Sequence, residues 1–80
     1  MESYRDSIAE FEGRCRRLAE RKEMVLTYVR KEHYRGSIIE HKVDVGDLHI
    51  VRYGYRGSNM NDEDTRATMW EDVYLYLVRK

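Results

Sequence analysis

Three histidines (His33, His41 and His49), one cysteine (Cys15) and seven tyrosines are the side chains of this 80-residue sequence with chemistry to offer. An imidazole beside an arginine can act as a general base while the guanidinium braces a phosphate. His41 or His49, with Arg52 or Arg56, is the pair that could do this in metal-independent RNA cleavage. A catalytic metal needs at least one ligand more than two histidines, and no fixed-spacing Cys or Glu motif supplies it, so neither a metal nor a cofactor is expected. The glycines at 36, 46, 54 and 57 are accounted for by turns, a bulge or a kink, and they form no phosphate-cradling loop. Cys15 has no partner for an internal disulfide and reads as a small buried hydrophobe, although Arg14, Arg16 and Arg17 would lower its pKa were it exposed.

The elements decide which of these groups meet. Apolar or aromatic residues at Tyr4, Ile8, Phe11, Cys15, Leu18, Val25 and Val29 recur at gaps of three and four, broken only by Lys22, and this predicts a helix over about 4–34. Gly13 marks its expected bend. Gly36 is placed to end it in the left-handed region, with Arg30, Lys31 and Arg35 complementing the dipole. Such a helix would be roughly 42 Å long, against about 26 Å for an eight-residue strand. Eighty residues cannot cover it, so Ile8, Phe11, Cys15, Leu18, Val25 and Val29 are expected to form the seam of a homodimer.

After Gly36 the period changes to that of strands, and Asp44-Val45-Gly46-Asp47 reads as the turn of a β-hairpin over about 37–55. A two-residue loop at Val45 and Gly46 would set Val43 opposite Leu48, with Ile39 and Ile50 on the same face. A three-residue bulged loop would instead bring His41 opposite His49. Burial of the aliphatic set favours the first. Residues 57–68 are polar and acidic and read as a loop. The alternation of Val73, Leu75 and Leu77 with Tyr74, Tyr76 and Val78 favours a C-terminal strand over about 69–79. The alternative is a helix from Asp62, with acids in its first turn and Met69, Trp70, Val73 and Leu77 along one side. The expected fold is therefore a single α+β domain, a long helix packed on a three-stranded antiparallel sheet (α-β-β-β), with α-β-β-α as the alternative. This order is loosely similar to that of small ribonuclease toxins, though no motif of theirs is matched.

Fifteen basic residues against fifteen acidic ones leave no net charge to steer the molecule toward nucleic acid. No apolar run is long enough to span a membrane, and MESYRDSIAE lacks the apolar core of a signal peptide, which leads to the expectation of a cytoplasmic protein. One sheet face is expected to gather Tyr53, Tyr55, Trp70, Tyr74 and Tyr76 with Arg52 and Arg56, the rigid amphipathic composition that contact surfaces use. The leading expectation is a non-catalytic homodimeric module that binds and regulates or inhibits a larger protein. A single-stranded nucleic-acid or nucleotide binder is second, with Arg14, Arg16 and Arg17 as phosphate contacts. A small ribonuclease using His41 or His49 is third.

Overall fold

A computed structural model describes residues 4–56 and 62–80. Helix α1 (Tyr4–Arg21) is followed by strands β1 (Leu26–His33), β2 (Ile38–Val45) and β3 (Leu48–Tyr55) and by helix α2 (Asp62–Arg79). The strands form an antiparallel sheet in the order β1-β2-β3. Both helices pack on one face of it, giving a flat two-layer unit of 37 × 31 × 15 Å. The fold is α+β as expected, and of the two orders the alternative with a C-terminal helix is the one found; the third strand comes from residues 26–33, inside the predicted helix, and not from 69–79.

The predicted 4–34 helix stops at Arg21 because Glu23 turns into the left-handed region, with φ of 56°. Around it, the Met24 amide donates to the Ala19 carbonyl (2.8 Å) and the Glu23 amide to the Glu20 carbonyl (3.0 Å), the paired bonds of a Schellman motif. The chain then re-enters as β1, so Val25 and Val29 are strand-side residues and not a helix seam. The 18 residues of α1 span about 27 Å, close to the length of an eight-residue strand. The surplus of helix length disappears. Ile8 and Cys15, expected between two copies, are buried in the monomer core, and Phe11 and Leu18 pack against that core.

The predicted strand over 69–79 is helical, and the acids Asp62, Glu63 and Asp64 form the first turn of α2, where they meet the positive end of its dipole. Gly57 to Asn61 lie outside the described residues. Met69, Trp70, Val73 and Leu77 recur at helical spacing and are all fully buried, whereas Leu75 and Val78 are exposed. Burial of those four side chains contributes about 1.5–3 kcal/mol each, which outweighs the β propensity of the Tyr and Val residues between them.

The hairpin register is neither of the two expected. Its two-residue loop is Gly46-Asp47, one residue later than predicted, so Val45 pairs with Leu48 and Val43 with Ile50. Gly46 alone takes a positive φ (55°), the pattern of a type II′ turn. A Cβ at this position would lie 2.5 Å from the Tyr76 hydroxyl, which itself accepts a hydrogen bond from the Asp47 amide at 2.9 Å. The end of α2 thus clasps the turn. Among the described residues no helix is long and apolar enough to cross a membrane.

Candidate functional site

Alternation along the three strands sorts the sheet residues into two faces. Under the helices lie four cross-strand rows: Leu26, Val45 and Leu48; Tyr28, Val43 and Ile50; Arg30, His41 and Arg52; Glu32, Ile39 and Gly54. On the other side lie Thr27, Asp44 and His49; Val29, Lys42 and Val51; Lys31, Glu40 and Tyr53; His33, Ile38 and Tyr55. The first face is apolar at its turn end and polar further along. The second is not covered by any described element.

His41 is the polar centre of the covered face and is 0% exposed. The Tyr28 hydroxyl donates to its Nδ1 at 2.7 Å, and its Nε2–H donates to the Asp62 carboxylate at the start of α2. That pairing describes the neutral Nε2–H imidazole with both nitrogens satisfied. Burial pushes the His41 pKa down; the Asp62 carboxylate opposes this, and the Arg66 and Arg30 guanidiniums add to the lowering. Burial likewise raises the Tyr28 phenol. Arg66 of α2 bridges to Glu12 of α1 at 3.6 Å, which ties the two helices to each other. With no free ring nitrogen and no exposed edge, His41 has nothing to offer a substrate proton. Its chain of bonds anchors α2 to the sheet.

His49 points to the opposite face, where Asp44 accepts its Nδ1 hydrogen bond, so the two histidines proposed as a catalytic base lie on opposite sides of the sheet. Arg52 is held by Asp72 of α2 at 3.0 Å, and Arg56 lies beside Gly36. The expected aromatic cluster divides. Tyr53 and Tyr55 stand on the open face, 45% and 43% exposed, while Trp70 is fully buried in the core. Tyr74 packs edge-on against Phe11, with ring centroids 5.8 Å apart, and Tyr76 braces the hairpin turn. Cys15 is buried and its thiol pKa is pushed up to about 11 by burial and by Glu12, which makes it unreactive. Among the described residues no group of acidic, His and Cys side chains is arranged to hold a metal ion.

Sequence reasoning missed two contributors. Tyr34, 78% exposed, sits in the β1–β2 loop, where Tyr34, Arg35 and Gly36 take successive positive φ values of 53°, 58° and 88°. For Tyr34 and Arg35 the left-handed region costs about 1–2 kcal/mol each, a cost that surrounding structure must hold in place. The loop presents the Tyr34 ring beside His33, Ile38, Glu40, Tyr53 and Tyr55 in one shallow recess. The other is Asp62, hidden in what reads as a polar loop. The run Val25-Leu26-Thr27-Tyr28-Val29, rich in strand-forming residues, was the available signal that the helix ends early.

The open face carries its charges in balance. Lys31 and Lys42 equal Glu40 and Asp44 in number, and both carboxylates are engaged by histidines: Glu40 accepts from His33 Nε2 at 2.9 Å, and Asp44 accepts from His49. Three exposed phenol rings and the half-covered Ile38 and Val51 remain as its contact area. Comparison of the chain with protein-family models, with curated proteins and with solved structures returns no match.

Proposed function

We propose that the protein is a non-catalytic interaction module that binds a larger protein through the open sheet face and modulates it by occupying its surface. The observation that carries this reading is the contrast on that face between exposed rings (Tyr34, Tyr53 and Tyr55) and carboxylates already engaged by histidines, Glu40 by His33 and Asp44 by His49. Rigid aromatic rings beside aliphatic residues, ringed by polar groups of both signs, suit a protein surface of the same mixed character. A polyanion is poorly served by a face with no net charge. The enzyme alternative is less well supported, since His41 is sealed in the core and His49, already engaged by Asp44, stands on the opposite face of the sheet from Arg52.

The test is affinity capture from the native host with the wild-type chain, a Tyr53→Ser/Tyr55→Ser double variant and an Arg14→Ser/Arg17→Ser double variant, each with and without nuclease. A protein retained by the wild type and the arginine variant, lost by the tyrosine variant and indifferent to nuclease is the expected result. Salt-dependent binding of single-stranded nucleic acid that needs Tyr53 and Tyr55 would replace this reading with the nucleic-acid one.

A further inference from the structure

Strand β1 ends the sheet, and among the described residues its backbone is bonded only to β2. An eight-residue edge of this kind presents a row of outward N–H and C=O groups to any strand that can reach it. Two of the common defences are missing, since the chain has no proline and β1 pairs with β2 without a bulge from Leu26 to His33; the third, charge on the edge, is confined to Arg30, Lys31 and Glu32. The opposite edge is different. There α2 reaches over β3, with the Thr65 hydroxyl donating to the Tyr53 carbonyl at 3.5 Å and Asp72 holding Arg52. Val25 and Val29, 82% and 49% exposed, are the apolar residues stranded at the β1 edge.

Charge selects the occupant and its register. If two copies continue one sheet about a two-fold axis, residues of the same face oppose each other, so the axis must pass beside a single β1 residue. Centring on Arg30, Lys31 or Glu32 would stack identical charges, and centring on Thr27 or Tyr28 would leave much of the strand unpaired. Val29 is the centre free of both faults. It sets Tyr28 opposite Arg30 of the second copy, Thr27 opposite Lys31, Leu26 opposite Glu32 and Val25 opposite His33, each twice, with Val29 against its own mate. Tyr28 and Arg30 gain a cation–π neighbour in this arrangement.

We infer that the protein forms a homodimer by antiparallel pairing of the two β1 edges centred on Val29, making one continuous six-stranded sheet with the helices of both copies on the same side. The dimer uses the β1 edge, leaving Tyr53 and Tyr55 on β3 uncovered, and it holds whatever those rings bind.

Directly opposed residues in antiparallel strands lie within disulfide range, so Val29→Cys tests the register in the full-length chain. Under mild oxidation Val29→Cys should give a covalent dimer on a non-reducing gel, while Val51→Cys, the equivalent centre of β3, should not; native Cys15 is buried and does not interfere. In sedimentation equilibrium at tens of micromolar the wild type should run as a dimer. Val29→Lys, which opposes two lysines at the axis, should weaken it several-fold or more with an unchanged far-UV spectrum and melting curve. A monomeric wild type, a dimer indifferent to Val29→Lys, or cross-linking through Val51→Cys and not Val29→Cys would each overturn the inference. A dimer abolished by Tyr53→Ser/Tyr55→Ser would also overturn it, because it would mean that the copies meet by their open faces. Loss of partner capture by that same variant with the dimer intact separates the two proposals.

Discussion

His41 and His49 lie on adjacent strands of one hairpin and end in opposite surroundings. His41 is sealed between the Tyr28 hydroxyl and the Asp62 carboxylate under two helices, whereas His49 stands in solvent with Asp44 as its companion. The same division runs through the whole sheet. On one face Val43, Val45, Ile39 and Ile50 join Trp70, Met69 and Cys15 in the core; on the other, aliphatic and aromatic residues of similar size are left uncovered. Because alternation in a strand has a period of two, a slip of one residue of β3 against β2 would place His49 inside with His41 and turn Ile50 out. The comparison teaches that a histidine's chemistry here is set by register and not by its sequence neighbours.

The largest expected effect comes from the core side of α2. Leu77→Ala should cost about 2–5 kcal/mol in urea unfolding, against about 0.5 kcal/mol or less for Leu75→Ala on the solvent side of the same helix. Equal costs would mean that the helical phase is wrong. Next, His41→Ala leaves Tyr28 and Asp62 without their shared partner and should destabilise by about 2 kcal/mol or more, while His49→Ala should stay within about 0.5 kcal/mol. Identical melting temperatures for these two variants would erase the distinction between the faces.

The smallest effect is in pH dependence. The folded pKa of His41 lies below its ordinary value of 6.5, so between the two values the unfolded chain binds the proton that the folded chain refuses. The stability tied to neutral His41 is therefore fully present above about pH 6.5 and is lost as pH falls from there through the folded pKa. Urea midpoints measured from pH 7.5 down to pH 5 should decline for the wild type and decline less for His41→Gln. Parallel slopes in the two proteins would show that His41 does not carry the linkage.

Some of this organisation is legible in the residues. The hairpin is announced by β-branched runs around Gly46, and the buried side of α2 is visible in the spacing of Met69, Trp70, Val73 and Leu77. Gly36 does take the left-handed conformation expected of it, but it closes the β1–β2 loop and does not end a helix. The early stop of α1 was hidden because its left-handed residue is Glu23, a type that seldom adopts that conformation and so sends no signal. The candidate site was half legible: Tyr53 and Tyr55 could be placed together by alternation, but Tyr34 depends on a strained loop and Trp70 was diverted to the core.

By itself the sequence determined the α+β class, the hairpin and the two competing phases of its C-terminal segment, because these follow from dihedral preferences and periodicities that each residue carries locally. Tertiary structure alone decided that residues 26–33 supply the third strand, that 62–79 is helix, and that His41 is buried while His49 is not. The physical reason is that an apolar run readable in either period goes to whichever packing removes more of its surface from water, and that comparison exists only once the partner elements are in place.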